Sequence, residues 1–450
     1  MKRNILSFDL SEEPKEIFDF NRLRSNTLSS ENTDFFRFNF SKKHFLLFFP
    51  IISQATIISK ELYYKIFLKK QVGDHSPEIQ NVIFNNNLNI HESLSAIQSL
   101  PLYTYDLFLD LTTDCNLHCK YCWSDHTTKH NATFEDIRPY LDFMLQLNQN
   151  RAGVNLFFMS SGESFLYWNL MKKIIEYVIR KKSLGFLHTI TNGIVPTDIL
   201  NEYHFKYMGW LSYSLDGPYE ITSKNRGLNK DQFNLLIHNI RNSLSINKVS
   251  SLSAVITKHS LAYDVKSFLD FFQSLGGNFT LALRKVNIYD FNKNAHLLDI
   301  PYKEFSEFMI LLIDEYFSGS FNFDVSSLNF FNLTSCKAKM MYSNAKIIQC
   351  QLFERVKRYE YTQYGVINKG VVNIQNSHLF DVFSYPFAND FFEEKCLKCP
   401  LKYWCGGGCP FKNLLLSGHL RKAYSEDCIY RLKLFKHILF KKIEQLLKNH

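Results

Sequence analysis

The order of apolar and polar positions becomes regular from Leu107 onward. Six short apolar runs there alternate with longer segments whose apolar residues recur every three or four positions. Short apolar runs predict strands, and the longer period predicts amphipathic helices. The predicted strands are Phe108–Thr112, Val154–Met159, Leu187–Thr191, Trp210–Leu215, Ser251–Ile256 and Thr280–Val286. The predicted helices are Phe134–Leu147, Leu170–Lys181, Lys230–Leu244 and Val265–Leu275.

Strands that alternate with helices predict a parallel sheet of the α/β class. We therefore expect residues 101–290 to form a partial (β/α)6 barrel of the TIM type. In such barrels the chemistry lies at the carboxyl ends of the strands.

A different pattern precedes the barrel. Residues 1–33 are polar and weakly patterned, which predicts a tail or lead-in. Residues 34–100 predict a small α+β domain, because two strand-like runs joined by a Ser-Lys-Lys turn precede three helical patterns. The strands are Phe35–Phe40 and His44–Pro50, and the helices are about Lys60–Lys70, Ser76–Asn86 and His91–Ser99.

The region after the barrel divides into a bridge and a cysteine-rich segment. The bridge, residues 291–335, contains one predicted helix, Tyr302–Phe317. Residues 336–450 are irregular in pattern and end in a basic amphipathic helix, Tyr430–Lys448. Such a helix suits either packing on the barrel or a membrane surface.

Composition narrows the class of protein. The 450 residues are 46% apolar and 21% charged, as in an ordinary globular chain. The net charge of +9 is scattered, with no basic run longer than Arg180–Lys182, so we expect no nucleic-acid partner. The most apolar run, Phe45–Ile52, is far shorter than the ~20 residues of a spanning helix. No secretory segment follows Met1, so we expect no membrane partner and a cytoplasmic location.

The chain has ten cysteines. Thiols are kept reduced in the cytoplasm, so we expect metal ligands rather than disulfides. Three of them, Cys115, Cys119 and Cys122, lie within eight positions just after the first barrel strand. A [4Fe–4S] cubane normally takes four thiolates, so this loop would leave one iron open to an outside ligand. Ordinary buried thiols are the alternative.

This C-x3-C-x2-C motif resembles the signature of the radical S-adenosylmethionine (SAM) superfamily. The resemblance implies a [4Fe–4S] cluster on Cys115, Cys119 and Cys122, with SAM chelating the open iron. It also implies that an electron donor of the flavodoxin or ferredoxin type reduces the cluster. Reductive cleavage of SAM would then give methionine and a 5′-deoxyadenosyl radical, which takes a hydrogen atom from the substrate.

The second strand ends in Ser160-Ser161-Gly162-Glu163-Ser164, where the family has a Gly-Gly-Glu-Pro motif. The match holds at Gly162 and Glu163, whereas Ser161 and Ser164 replace the first glycine and the proline. By resemblance this loop binds the ammonium group of SAM, and Glu163 can accept a charge-assisted hydrogen bond from it. The missing proline predicts a looser turn.

Further SAM contacts are implied by resemblance at the next strand ends. Tyr121 would lie against the adenine, and Asn192 belongs to a Thr-Asn-Gly turn that is common in the family. Ser214 and Arg226 match positions that reach the ribose hydroxyls and the methionine carboxylate, which a guanidinium suits. Arg226 could also be a solvated surface charge. Asp216, in the same stretch, could contact the cofactor or substrate, or be a turn or N-cap residue.

The remaining seven cysteines resemble the SPASM extension of radical SAM enzymes that modify peptides. The spacings match, with Ala345 in place of a glycine as one departure. The resemblance implies two auxiliary [4Fe–4S] clusters, and a four-cysteine zinc site is the alternative. One cluster would be held by Cys396, Cys399, Cys405 and Cys428, and the other by Cys336, Cys350, Cys409 and a ligand that the sequence does not identify.

Together these resemblances imply a maturase that installs a thioether or carbon–carbon crosslink in a ribosomally synthesised precursor peptide. Residues 34–100 resemble a winged-helix-like leader-recognition domain, which would bind the peptide by strand addition; a packing extension without ligand is the alternative. Two other functions stay open. One is an anaerobic sulfatase-type maturase that forms formylglycine, and the other is a non-catalytic iron–sulfur scaffold. The sequence identifies no acid or base for the reaction.

Overall fold

The computed structural model describes most of the predicted barrel and parts of its flanks. The chain divides into two compact units. The first comprises Met1–Pro101, Pro386–Ala423 and Leu447–His450, and the second comprises Leu102–Tyr385 and Tyr424–Leu446. The described residues are 36–39, 42–49, 54–61, 106–124, 129–147, 154–181, 183–288, 293–326, 340–343, 346–348, 363–368, 371–374, 396, 399, 401, 405, 408–419 and 422–448.

In the first unit, three strands form an antiparallel sheet in the order β1-β2-β3. They are β1 Phe36–Asn39, β2 His44–Phe49 and β3 Gln54–Ser59. The predicted hairpin is thus confirmed, and β3 adds a third strand to it. A helix starts at Lys60, as predicted, but its continuation and the two predicted helices Ser76–Asn86 and His91–Ser99 lie outside the described residues.

The second unit contains a sheet that has eleven strands in the described part of the chain. Six parallel strands follow one another in chain order and confirm the six predicted strands to within three residues. They are β4 Asp106–Asp110, β5 Val154–Phe158, β6 Leu184–Thr191, β7 Trp210–Ser214, β8 Val249–Ile256 and β9 Thr280–Lys285. This is the expected α/β sheet of a partial TIM-type barrel.

Both edges of this parallel sheet are extended. The short strand β10 (Asp324–Val325) pairs with β9 in parallel. On the other side β11 pairs with β4 in parallel, and an antiparallel series β11-β12-β13-β14 follows. These strands are β11 Met340–Ser343, β12 Lys346–Ile348, β13 Gln363–Asn368 and β14 Val371–Ile374.

Helices connect the parallel strands β4 to β10. In chain order they are α1 Phe134–Leu147, α2 Trp168–Arg180, α3 Thr197–Tyr207, α4 Tyr219–Arg226, α5 Lys230–Ser245, α6 Lys258–Leu261, α7 Val265–Gln273 and α8 Tyr302–Ser318. Two helices follow the sheet, α9 Pro410–Ser417 in the first unit and α10 Ser425–Lys448. The four predicted barrel helices are confirmed as α1, α2, α5 and α7. Helices α3 and α4 were not predicted, because α3 buries aromatic and polar residues such as His204, and α4 is largely polar.

The core lies between the sheet and these helices. Leu107 and Leu109 of β4 are fully buried in it, as are Leu156 and Phe158 of β5. Because side chains alternate across a strand, Phe108 and Phe157 lie on the opposite face of the sheet. That second face faces away from the helices.

Helix α10 packs on α8. The rings of Phe305 and Tyr430 are 4.8 Å apart, and both Leu434 and Ile438 belong to the hydrophobic core. His437 Nε2 lies 2.9 Å from Asp314 Oδ1 at the same contact. Protein therefore covers the apolar side of this basic helix. Among the helices of the described ranges, none combines the length and apolarity that a membrane span requires.

Candidate active site at the carboxyl ends of the strands

The loop after β5 lies directly against the loop after β4. Gly162 N donates a hydrogen bond to Thr112 O (2.8 Å), and Glu163 N donates one to Asp114 O (2.8 Å). A Cβ atom at Gly162 would lie 1.9 Å from Asp114 O, so only glycine permits this approach. The glycine of the motif thus holds the cysteine loop against the second strand end.

The two serines that depart from the family pattern are hydrogen-bonded. Ser161 donates twice to the buried carboxylate of Asp110, through its backbone N (2.7 Å) and its Oγ (2.8 Å). Ser164 Oγ donates to Ser160 Oγ at 2.8 Å. The expected looseness of this turn is therefore offset by side-chain hydrogen bonds. Sequence analysis missed Asp110, although a carboxylate in an apolar strand was a visible signal.

Glu163 is buried, with 2% of its surface exposed, and is surrounded by neutral donors. Its Oε1 accepts from Thr191 Oγ1 (3.0 Å) and Phe165 N (3.2 Å), and its Oε2 accepts from Asn192 N (2.7 Å). Burial raises the pKa of this carboxyl to about 7, although the three hydrogen bonds oppose the shift. Within the described residues Oε2 accepts from one donor, so it retains capacity for another.

Asn192 connects the third strand end to the cysteine loop. Its Nδ2 donates to Asn116 Oδ1 (2.7 Å) and lies 3.7 Å from Cys115 Sγ. Asn116 Nδ2 in turn donates to Ile194 O at 2.7 Å. The structure therefore brings Asn192 to the first predicted cluster ligand.

Asp216, after β7, joins the cysteine loop to α4. Its carboxylate is fully buried and accepts from the Tyr121 hydroxyl (2.6 Å), Arg226 Nη2 (2.8 Å), Asn225 Nδ2 (3.1 Å) and Val255 N (3.1 Å). Burial raises the pKa of Tyr121 well above its usual value, so the phenol keeps the proton that it donates. Asp216 is therefore an anchor for Tyr121 and Arg226.

Arg226 is not a solvated charge, because only 7% of its side chain is exposed. Its Cζ lies 5.5 Å from the centre of the Tyr121 ring. Its Nε is buried and has no hydrogen-bond partner in the described part of the chain. A buried donor of this kind suits an anionic ligand group. Ser214, the last residue of β7, is half-buried and lies two positions before Asp216 in the chain.

Cys115 and Cys119 are partly buried against the core, and Cys122 N donates to Cys119 O (3.0 Å). Burial raises the pKa of both thiols, that of Cys119 to about 12. Cluster binding must displace these protons, since thiolates are the ligands. Over the described ranges no three His, Cys, Asp or Glu side chains converge on one metal ion. A cubane instead takes one thiolate per iron, so three thiols on one short loop fit it.

The second cysteine group is described only in part. In the first unit Leu401 N donates to Cys399 Sγ (3.4 Å), a type of bond that tunes iron–sulfur clusters. Cys396 is buried, and Cys409 precedes α9. Cys428 lies in the first turn of α10 in the second unit, and Cys336 and Cys350 lie outside the described residues. The auxiliary clusters therefore stay a prediction.

The face of the sheet that bears Phe108 and Phe157 carries aromatic side chains on β4 and β5 and hydroxyl side chains on β7 and β8. Phe108 stacks on Phe157 at 4.7 Å, and the Phe157 ring is 5.5 Å from that of His188. His188 Nε2 lies 2.9 Å from Ser212 Oγ, which lies 2.6 Å from Ser251 Oγ on β8. The sequence did not reveal these contacts, because the five residues come from five different strands.

Residues 109–263 match the model of the radical SAM superfamily. The match runs from β4 to α6 and so includes the cysteine loop and every strand end described above except that of β9. Residues 109–263 thus form a radical SAM domain within the chain.

Known proteins share the fold over most of the chain. Native anSMEcpe with bound AdoMet and Cp18Cys peptide is 16% identical, with a TM-score of 0.58, over 76% of this chain and 99% of that one. Streptococcus suis SuiB bound to precursor peptide SuiA is 16% identical, with a TM-score of 0.51, over 85% and 96%. The uncharacterized protein MJ0907 of Methanocaldococcus jannaschii is 31% identical over 71 residues, which are 16% of this chain and only 23% of that protein.

Proposed function

We propose that this chain is a radical SAM maturase that installs a crosslink in a ribosomally synthesised precursor peptide. The observation that carries the proposal is the joining of the cysteine loop to three strand ends. Gly162, Asn192 and Asp216 each contact that loop by hydrogen bonds of their own. The loop that bears the proposed cluster ligands and the polar groups at the ends of β5, β6 and β7 thereby lie at the same end of the sheet.

Each group at this end has a role in binding. Cys115, Cys119 and Cys122 hold the [4Fe–4S] cluster. Glu163 attracts the ammonium of SAM through the free capacity of Oε2, and the unpaired Nε of Arg226 serves the carboxylate. When bound, the cluster and SAM together supply one-electron reductive cleavage and hydrogen-atom abstraction. Asp216 accepts hydrogen bonds from both Tyr121 and Arg226, so both side chains are oriented before SAM binds.

A peptide substrate is supported by two features. The structures of similar fold were determined with peptides, Cp18Cys peptide for anSMEcpe and SuiA for SuiB. The chain also has a small antiparallel sheet, β1-β2-β3, of the kind to which an extended peptide adds as a further strand. Two auxiliary clusters on the seven remaining cysteines, and a flavodoxin or ferredoxin as electron donor, complete the proposal.

The decisive experiment is anaerobic reconstitution with SAM and dithionite. We expect 5′-deoxyadenosine, measured by chromatography, because the loop binds the cluster that reduces SAM. The C115A/C119A/C122A variant should keep about eight of roughly twelve irons, at four per cubane, and should cleave no SAM. H118A changes an exposed side chain of the same loop and should keep both iron and cleavage.

Two results would contradict the proposal. Full cluster loading without 5′-deoxyadenosine would favour the non-catalytic scaffold. Unchanged SAM cleavage in the triple variant would refute the assignment of the ligands. Mass spectrometry of the co-expressed peptide then separates a crosslink from formylglycine, the product of the sulfatase-type alternative.

A further inference from the structure

Three exposed lysines lie beside the cysteine loop. Lys120 follows Cys119 directly, Lys224 lies on α4, and Lys258 is the first residue of α6. These three residues are called the lysine patch below. They are distant in sequence, so their proximity is a product of the fold.

Backbone and side-chain hydrogen bonds hold the three segments together. Lys120 N donates to Asn225 O at 2.9 Å, and Thr257 Oγ1 donates to Asn225 Oδ1 at 3.1 Å. Lys224 and Lys258 are the neighbours of Asn225 and Thr257 in the chain. Lys120 itself takes part in these hydrogen bonds, and Lys224 and Lys258 each adjoin a residue that does. The fold therefore fixes the backbone positions of all three lysines beside the cysteine loop.

The charge of the patch is not neutralised within the described ranges. None of its three lysines forms an ion pair there, whereas exposed lysines elsewhere do, such as Lys173 with Glu135 and Lys266 with Asp270. The buried carboxylate that Asn225 contacts, Asp216, is already paired with Arg226. Glu220 lies on α4 one turn before Lys224 but makes no ion pair with it.

His259 reports the combined field of these charges. Burial lowers its pKa, and Lys224, Lys258 and Lys120 lower it further. All three lysines are therefore close enough to His259, on α6, to lower its pKa. A fixed group of like charges is unfavourable for the isolated chain, and such patches steer partners of opposite charge.

We propose that the lysine patch docks an acidic one-electron carrier, a flavin or iron–sulfur protein, which reduces the cluster. This inference rests on the proposed function. Lys120 adjoins the ligand Cys119, so a protein held on the patch lies next to the cluster it must reduce. One electron leaves the reduced carrier and enters the cluster, and no bond or proton changes place.

The K224E/K258E variant tests this inference, because neither side chain takes part in cluster or SAM binding. R180E/K181E is the matched control. It makes the same change in net charge on exposed residues at the end of α2, just before β6 starts at the opposite end of the sheet. SAM cleavage is measured with dithionite and, separately, with reduced flavodoxin. The affinity of flavodoxin for the cluster-loaded enzyme is measured by calorimetry.

We expect K224E/K258E to lose about 10- to 100-fold in kcat/KM for flavodoxin at low ionic strength, with a matching loss of affinity. Added salt should shrink the difference from the native protein, because it screens exposed charges. Cleavage driven by dithionite, and all values for R180E/K181E, should equal those of the native protein.

Several outcomes would overturn the inference. They are an unchanged response of K224E/K258E to flavodoxin, an equal loss in R180E/K181E, or a loss of affinity for the precursor peptide in place of flavodoxin. The proposed function fails differently, through absence of dithionite-driven cleavage in the native protein. In that case the calorimetric comparison of the two variants still decides whether the patch docks the carrier.

Discussion

Glu163 and Asp216 are both buried carboxylates at strand ends, yet their surroundings differ. Asp216 accepts from a cation, Arg226, whereas the donors to Glu163 among the described residues are all neutral. For this reason burial dominates at Glu163 and places its pKa at about 7. A carboxyl poised there can change charge when a cation such as the ammonium of SAM arrives.

The first prediction concerns the pH dependence of SAM binding. Below about pH 7 Glu163 is protonated, so SAM must displace a proton to gain the ion pair. Affinity for SAM should therefore rise with pH and level off above the pKa of Glu163. In E163Q this acid limb should be absent. Calorimetry on the cluster-loaded protein measures the affinity for SAM at each pH. The E135Q variant, which changes an exposed glutamate, is the control.

Identical pH profiles for E163Q and the native protein would contradict this assignment. The raised pKa of Glu163 also makes the stability of the protein without SAM depend on pH. The folded-state pKa lies above the ordinary value of 4.5, so the contribution of Glu163 to stability is full below 4.5 and is lost as the pH rises through about 7. SAM should reverse this loss by pairing with the carboxylate.

At the scale of elements, the last helix shows how tertiary packing assigns a sequence pattern. The basic amphipathic pattern of α10 favours packing on the barrel but is also compatible with a membrane surface. The structure places its apolar side on α8, where Asp314 lies 2.9 Å from both His437 Nε2 and Lys441 Nζ. The helix is thus part of the second unit's core rather than a separate anchor.

Two isoleucines of α10 provide a matched pair of substitutions. Ile438 is fully buried, and Ile429 is 65% exposed on the same helix. I438A should lower the free energy of unfolding by about 3 kcal/mol, because it removes methyl groups and leaves a cavity. I429A should change it by no more than about 0.5 kcal/mol. Thermal scans of the anaerobic protein measure both, and equal shifts would contradict the packing of α10 on α8.

At the scale of the whole molecule, the parallel sheet collects residues from distant parts of the chain at one end. Tyr121 and Asp216 are 95 positions apart, and Cys115 and Asn192 are 77 apart. The chain also has a separate three-stranded sheet near its start. Under the proposed function, the first feature serves the chemistry and the second serves recognition of the peptide.

Deletion of residues 34–100 tests this division of roles. The truncated protein should still cleave SAM, because every residue at the strand ends is retained. It should lose affinity for the leader of its precursor peptide, since β1, β2 and β3 are removed. Deletion of residues 1–33 is the control and should preserve both properties. Equal affinity of the two truncated proteins for the leader, measured by fluorescence anisotropy, would refute the assignment.

The sequence by itself determined the features whose partners lie close together in the chain. The alternation of strands and helices follows from local periodicity. The cluster ligands follow from one loop, because Cys115, Cys119 and Cys122 need no other segment to be recognised. The strand-end motif was visible at Gly162 and Glu163 for the same reason.

Only the tertiary structure decided which side chains of different strand ends meet. The turn that contains Ser161 is held by hydrogen bonds to Asp110, 51 positions away. Arg226 is buried because it pairs with the carboxylate of Asp216. The lysine patch likewise depends on the packing of α4 and α6 beside the cysteine loop. Such contacts depend on the register of parallel strands, and register is set by packing over the whole sheet rather than by any local pattern.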